Sequence, residues 1–180
     1  MKKKILLGIT GSIAAYKAAD IANELTKDGY DVTCVMTKGG MQFITPLTLQ
    51  TLTKNRVYTD VFEAADPSVV EHIYLAQSAD LILIAPASAD IMAKAAAGIA
   101  DDLLSTLLLA VGDRPVYFAP AMNTTMYESP ANRRNMETLK GYGYRFIEPR
   151  VAGLACGTVG NGALAKTDQI VETVKNALEE

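Results

Sequence analysis

The chain has too few cysteines for a disulfide framework, no apolar run long enough for a membrane, and no surplus of positive charge. Its two cysteines, Cys34 and Cys156, suit a reducing cytosol rather than a cross-linked secreted fold. No apolar stretch approaches the roughly 18–20 residues of a membrane span. The opening "MKKKILLGIT" has the positive start of a signal peptide. Its apolar part is short, however, and runs straight into a Gly-rich turn, so it reads as a first strand. A formal charge of −3 gives no electrostatic reason to expect nucleic acid or an anionic membrane as partner. Internal repeats, low-complexity tracts and linkers are also missing. With 180 residues, 49% of them hydrophobic and 21% charged, residues 1–180 read as one domain with a substantial core.

What is present is alternation. Near-continuous apolar runs at 4–9, 31–37, 80–86, 115–120 and 144–149 read as strands buried on both faces. Helical patterns separate them: 13–27, 41–53 with a break at Pro46, 89–98, 101–110 and 130–141. A Gly-rich segment then precedes a last helix with Thr167 or Asp168 as N-cap. This order predicts an α/β fold, a doubly wound parallel sheet of the Rossmann/flavodoxin-like type. Ligands of such folds bind outside the carboxyl ends of the strands. There the chain places "TGSIAAYK", "TKGG", "APASAD" and "APAMN", small and polar residues that form a ligand rim.

"GITGSIAAYK" (8–17) has the small residues that let backbone N–H groups approach an anion. It is neither G-x-G-x-x-G nor a P-loop. Strand two ends in Met36, Thr37 and Lys38 rather than in an acid that would hold a nicotinamide ribose. A mononucleotide such as FMN fits better than a dinucleotide. Alone, a Gly-Ser turn after a strand usually marks only a helix start; Ser88 at a second strand end tilts the balance toward a ligand.

Three features together carry a resemblance over essentially the whole chain. They are "TGSIAAYK", the lone histidine in "VEHIYLAQSADLILIAPASAD", and the P-x-M-N-x-x-M motif of Pro120, Met122, Asn123 and Met126, followed by "ACG". The sequence resembles the homo-oligomeric flavin-containing cysteine decarboxylases, in particular the branch acting on 4′-phosphopantothenoylcysteine in coenzyme A biosynthesis. The resemblance implies FMN contacts at Gly11, Ser12, Ile13, Thr37, Phe43, Pro86, Ala87, Ser88, Ala89 and Met122. It implies substrate contacts at Asn123, Met126 and Ala155, and no metal.

It also implies catalytic roles for His72, Asn123 and Cys156. A lone histidine ahead of a strand is more often a surface residue, but imidazole suits the proton of a substrate thiol or carboxyl near neutral pH. Neighbouring Glu71 is a candidate to orient it. Asn after a strand most often caps a helix. Its amide also orients a carboxylate without adding fixed charge that would oppose loss of CO₂. Met122 and Met126 read as core packing or as a soft wall against a flavin. Cys34, within an apolar strand, reads as packing. Cys156 lies in a segment too Gly-rich for a core strand and, by the resemblance, protonates the decarboxylated intermediate. In the mechanism the resemblance implies, the flavin oxidises the substrate's terminal cysteine thiol to a thioaldehyde, CO₂ leaves to give an enethiolate, and reduced flavin and Cys156 return hydride and proton to yield 4′-phosphopantetheine.

Some positions depart from the family pattern. Asp90 and Ile91 replace the usual Asn-Thr, Tyr127 replaces tryptophan, Ala163 stands where an arginine is common, and Lys166 where an acid is common. The last two bear on how the Gly-rich segment is anchored and meets the substrate phosphate. Alternatives within the fold are a flavin prenyltransferase, which would not explain His72, Asn123 and Cys156 together, and a peptidyl-cysteine decarboxylase, which needs no Cys156. A non-catalytic regulatory flavoprotein is a third; such relatives carry acidic extensions, whereas this chain ends at "VKNALEE". The resemblance further implies a homo-oligomer, trimer or dodecamer, and a fused or separate phosphopantothenate–cysteine ligase.

Overall fold

The computed structural model describes residues 2–63, 68–153, 157 and 159–179. All five expected strands form: β1 (Lys4–Ile9), β2 (Asp31–Met36), β4 (Leu81–Ala87), β5 (Val116–Pro120) and β6 (Arg145–Phe146). A two-residue strand, β3 (Val57–Tyr58), is added at one edge. Every pairing in this sheet is parallel, in the order β3-β2-β1-β4-β5-β6. That is the doubly wound Rossmann order, and without the two-residue β3 it becomes the flavodoxin order. The expected fold class is the observed one.

The strands are apolar throughout because helices cover both sheet faces. Ile5, Leu7 and Ile9 of β1 pack with Ile21 and Leu25 of α1 (Tyr16–Lys27), Leu49 of α2 (Pro46–Thr53) and Ile170 of α8 (Thr167–Glu179). Leu6 of β1 faces the other way. It joins Leu75 of α3 (Glu71–Ser78), Ile91 of α4 (Ala89–Ala97), Leu104 of α5 (Leu103–Leu108) and Leu139 of α7 (Pro130–Gly141). The period-two alternation of a strand thus feeds two separate cores. Among the described residues no helix is long and apolar enough to cross a membrane.

Several boundaries differ from expectation. Pro46 begins α2 rather than breaking a helix, since its missing N–H costs nothing in a first turn. Ahead of it, Gly40–Gln42 form a separate 3-10 turn. Thr167 and Asp168 are the first two helical residues of α8, not caps; the acid still favours the positive helix end. α3 and the five-residue α6 (Thr124–Glu128) were not expected.

The Gly-rich segment is not simply a loop. It contains an antiparallel hairpin, β7 (Arg150–Gly153) and β8 (Val159–Ala163). Glycine is required at Gly162, where φ is +135° and a Cβ would collide with the Met122 carbonyl oxygen. The absent side chain lets Met122 N–H donate to the Gly162 carbonyl at 2.9 Å, joining the hairpin to the end of β5.

Candidate functional site

β1 and β4 are neighbours whose connections leave in opposite directions, which opens a crevice between their carboxyl ends. Thr10 spans this gap. Its buried hydroxyl donates to the Pro86 carbonyl at 2.6 Å and accepts from Ser88 N–H at 2.9 Å. Two helical starts flank it: Ser12 caps the 3-10 turn Ile13–Ala15 ahead of α1, and Ser88 caps α4 through Ile91 N–H. Gly11 meets Gly39 so closely that a Cβ on Gly11 would stand 3.2 Å from Gly39 Cα. A side chain on either glycine would press the two turns apart.

A cavity of about 490 Å³ opens here. Gly11, Ser12 and Ile13 line it from the β1 turn, Phe43 and the Ser88–Ala89 pair from their own turns, and Met122, Asn123 and Met126 from the end of β5. A second cavity of about 490 Å³ shares Gly11, Ser88, Ala89 and Met126, and Thr37 lines that one. Pro86 and Ala87 line neither of these cavities. Both are buried at the sheet end, where their carbonyls accept from Thr10 and from Ala121 N–H, so they shape the site from behind instead of facing it.

Asn123 occupies the helix-cap position of the bland reading while also facing the cavity. Its Oδ1 accepts from Thr125 N–H at 2.8 Å and Met126 N–H at 3.4 Å. The carboxamide is thereby oriented, and any bond it offers an anion comes from Nδ2. Ile13, Phe43 and Met126 are each about half exposed, at 56%, 46% and 50%. Together with half-buried Met122 they make an apolar wall at the surface, the arrangement of a ligand face rather than a core.

Of the predicted catalytic set, among the described residues, only Asn123 lines one of these two cavities. His72 sits in the first turn of α3, half-buried, and lines neither of the two cavities. α3 precedes β4 in a parallel crossover, so its first turn points to the same rim as the strand ends. The neighbouring Glu71 carboxylate is buried, with Oε1 3.6 Å from Arg56 Nη1. Cys156 and Ala155 lie outside the described residues. Cys34 is fully buried on β2, and desolvation pushes its thiol up to about 12, as befits core packing. Tyr127 donates to Glu148 Oε2 at 3.0 Å, and burial followed by that carboxylate pushes its phenol up to about 12.

Charge divides the two cavities. Among the described residues, the first is lined by Lys17 and Arg150 and by no carboxylate. The second holds Lys38, Lys94, Asp90, Asp101 and Asp102. Lys94 Nζ lies 3.3, 3.0 and 3.5 Å from Asp90, Asp101 and Asp102. Burial disfavours the charge on Lys94, but the three carboxylates outweigh it and raise its pKa; Asp101 is in turn held low, chiefly by Lys94. Sequence reasoning missed Thr10, Lys17, Arg150 and the hairpin residues. Thr10 and Lys17 stood inside a quoted motif, whereas Arg150 carried no local signal.

Two glycine-tight turns, two helical starts, an apolar wall and a cavity lined by Lys17 and Arg150 define a doubly wound α/β protein that accommodates an anionic mononucleotide. Residues 1–179 match the family model described as Flavoprotein, and the chain belongs to that family. It is 52% identical to the probable phosphopantothenoylcysteine decarboxylase of Streptococcus mutans serotype c over 179 residues, 99% of this chain and 100% of that protein. It is 46% identical to the coenzyme A biosynthesis bifunctional protein CoaBC of Bacillus subtilis, matching 99% of this chain but 44% of that one. The chain thus spans less than half the length of such bifunctional relatives. A solved PPC decarboxylase mutant complexed with pantothenoylaminoethenethiol matches with a TM-score of 0.90 at 33% identity, covering 100% of both chains. The FMN-dependent cysteine decarboxylase SpaF matches with a TM-score of 0.85 at 30% identity, over 98% of this chain and 95% of that one.

Proposed function

We propose that the chain catalyses the FMN-dependent decarboxylation of 4′-phosphopantothenoylcysteine to 4′-phosphopantetheine in coenzyme A biosynthesis, the reaction of a carboxy-lyase. The observation that carries this reading is full-length similarity, in sequence and in fold, to phosphopantothenoylcysteine decarboxylases. The cleft fits the cofactor. Backbone N–H groups of Gly11, Ile13 and Ala89 and the hydroxyls of Ser12 and Ser88, with Thr37 beside them, would hold its phosphate. Ile13, Phe43, Met122 and Met126 would pack against its ring.

When bound, FMN supplies the reversible oxidation of the substrate thiol that gives the carboxylate an electron sink. The chain's residues do the rest. Asn123 Nδ2 donates to the substrate carboxylate, and the α6 cap holds that donor in place. The apolar wall excludes water, which strengthens this hydrogen bond and leaves the carboxylate poorly solvated. His72 accepts the thiol or carboxyl proton. Because His72 lines neither cavity, we assign it to the site of a second copy in a homo-oligomer, trimer or dodecamer. Cys156, next to the substrate contact Ala155, returns a proton to carbon.

The single domain 1–180 acts in the cytoplasm, and a phosphopantothenate–cysteine ligase, fused or separate, supplies its substrate. The test is direct. The purified protein should be yellow with bound FMN and release one CO₂ per 4′-phosphopantetheine formed. A protein that stays colourless after incubation with FMN, or binds it and releases no CO₂, defeats the proposal. Cys156→Ser should still release CO₂ but stall before 4′-phosphopantetheine; full turnover by that variant removes the role given to the thiol.

A further inference from the structure

Among the described residues, the cavity beside Asn123 is lined by two cations, Lys17 and Arg150, and by no carboxylate, in a chain of net charge −3. Among the described residues, neither cation has a carboxylate within ion-pair distance. Lys94, in the adjoining cavity, has three. Two charges left uncompensated at one pocket are suited to an anion brought by a ligand.

Arg150 is also held in place. It opens β7, and its direct partner across the hairpin is Ala163. Its Nε donates to the Leu164 carbonyl at 3.1 Å. That bond fixes the stem and commits one donor, while the terminal nitrogens keep the planar fork that matches a phosphoryl group. Ala163, one of the noted departures from the family pattern, is too short to compete for the space. The guanidinium arrives instead from the facing strand.

We propose that Arg150, supported by Lys17, is a specificity-determining residue that reads the phosphate of the substrate. The inference deepens the decarboxylase reading and rests on it. 4′-Phosphopantothenoylcysteine is anionic at both ends, and Asn123 serves its carboxylate. FMN brings a phosphate of its own, so the two sources must be separated. The helical starts that suit the flavin phosphate are shared by both cavities through Gly11, Ser88 and Ala89. Arg150 lines only the first cavity, from the hairpin that is bonded to Met122.

The experiment compares FMN-loaded wild type, Arg150→Ala and Arg150→Lys on 4′-phosphopantothenoylcysteine and on pantothenoylcysteine, with FMN affinity measured by fluorescence quenching. Arg150→Ala should lower the kcat/KM preference for the phosphorylated substrate by about 10- to 100-fold, through KM for that substrate. Arg150→Lys should recover part of it, keeping the charge but losing the fork. Equal losses on both substrates overturn the proposal. So does a loss that appears in FMN affinity, which would give Arg150 to the flavin phosphate. If Arg150→Ala fails to fold, Arg150→Gln, which keeps an amide donor on a shorter stem, should show the same loss of preference. A wild type that decarboxylates neither substrate sinks both readings; active variants that keep the wild-type preference sink this one alone.

Discussion

At Asn123 one carboxamide is assigned both a cap and a substrate contact, and two substitutions separate them. Asn123→Ala removes the acceptor for Thr125 and Met126 N–H, which costs about 0.5–2 kcal/mol of stability, and removes the donor as well. Asn123→Asp keeps the acceptor but turns a charge toward the substrate carboxylate. Its melting temperature should stay near wild type while CO₂ release falls by about 100-fold or more. A variant that decarboxylates normally would leave Asn123 with its cap alone. Cys34 offers a simpler check. Burial holds its thiol protonated up to about 12, so iodoacetamide at pH 8 should spare it in the folded protein and label it after denaturation, read by peptide mass spectrometry. Asn123 and its two methionines were legible because a polar, soft-edged turn after a buried strand is unusual. Arg150 and Thr10 were not. A single arginine after a short strand has no pattern, and the Thr10 hydroxyl acquires meaning only when β4 is laid beside β1.

Among the elements, the hairpin and the α4–α5 junction depend on contacts far apart in sequence. Gly162→Ala forces a side chain onto the Met122 carbonyl at a φ of +135°. The expected outcome is loss of the Met122–Gly162 bond, a lower melting temperature and faster loss of FMN on dialysis, followed by absorbance. Lys94 joins α4 to Asp101 and Asp102 at the start of α5. Its pKa is raised above the ordinary 10.5, so its stabilisation is complete below that pH and fades as pH climbs through the higher folded value. Wild type should therefore exceed Lys94→Met in urea stability at pH 8, with the gap narrowing by pH 11.5. A constant gap would assign the effect to packing. Long buried strands were legible from composition. α3 was not, because its buried face includes charged Glu71 beside Leu75 and Ala76, which breaks the helical period. The hairpin escaped notice because its glycines serve backbone approach instead of side-chain packing.

For the whole molecule, the doubly wound order followed from strand–helix alternation, since parallel strands need crossovers and covered faces. The placement of His72 did not, because among the described residues Asn123 lines the first cavity and His72 lines neither of the two. If each site draws His72 from one copy and Asn123 from another, mixing inactive His72→Ala with inactive Asn123→Ala protein should restore a measurable part of the activity. Restoration should require subunit exchange and vanish when the two variants are cross-linked before mixing. No recovery under conditions of proven exchange would return both residues to a single chain.

Thr10 ties the ends of β1 and β4 by accepting from one backbone group and donating to another. Stripped of its flavin, the protein should therefore keep the gap between those strands at its working width, and recharge quickly. Thr10→Val, nearly the same in shape, would take that partner from the Pro86 carbonyl and Ser88 N–H at a cost of about 1–3 kcal/mol, and would make the emptied enzyme slow to reload, a defect visible in the kinetics of colour return.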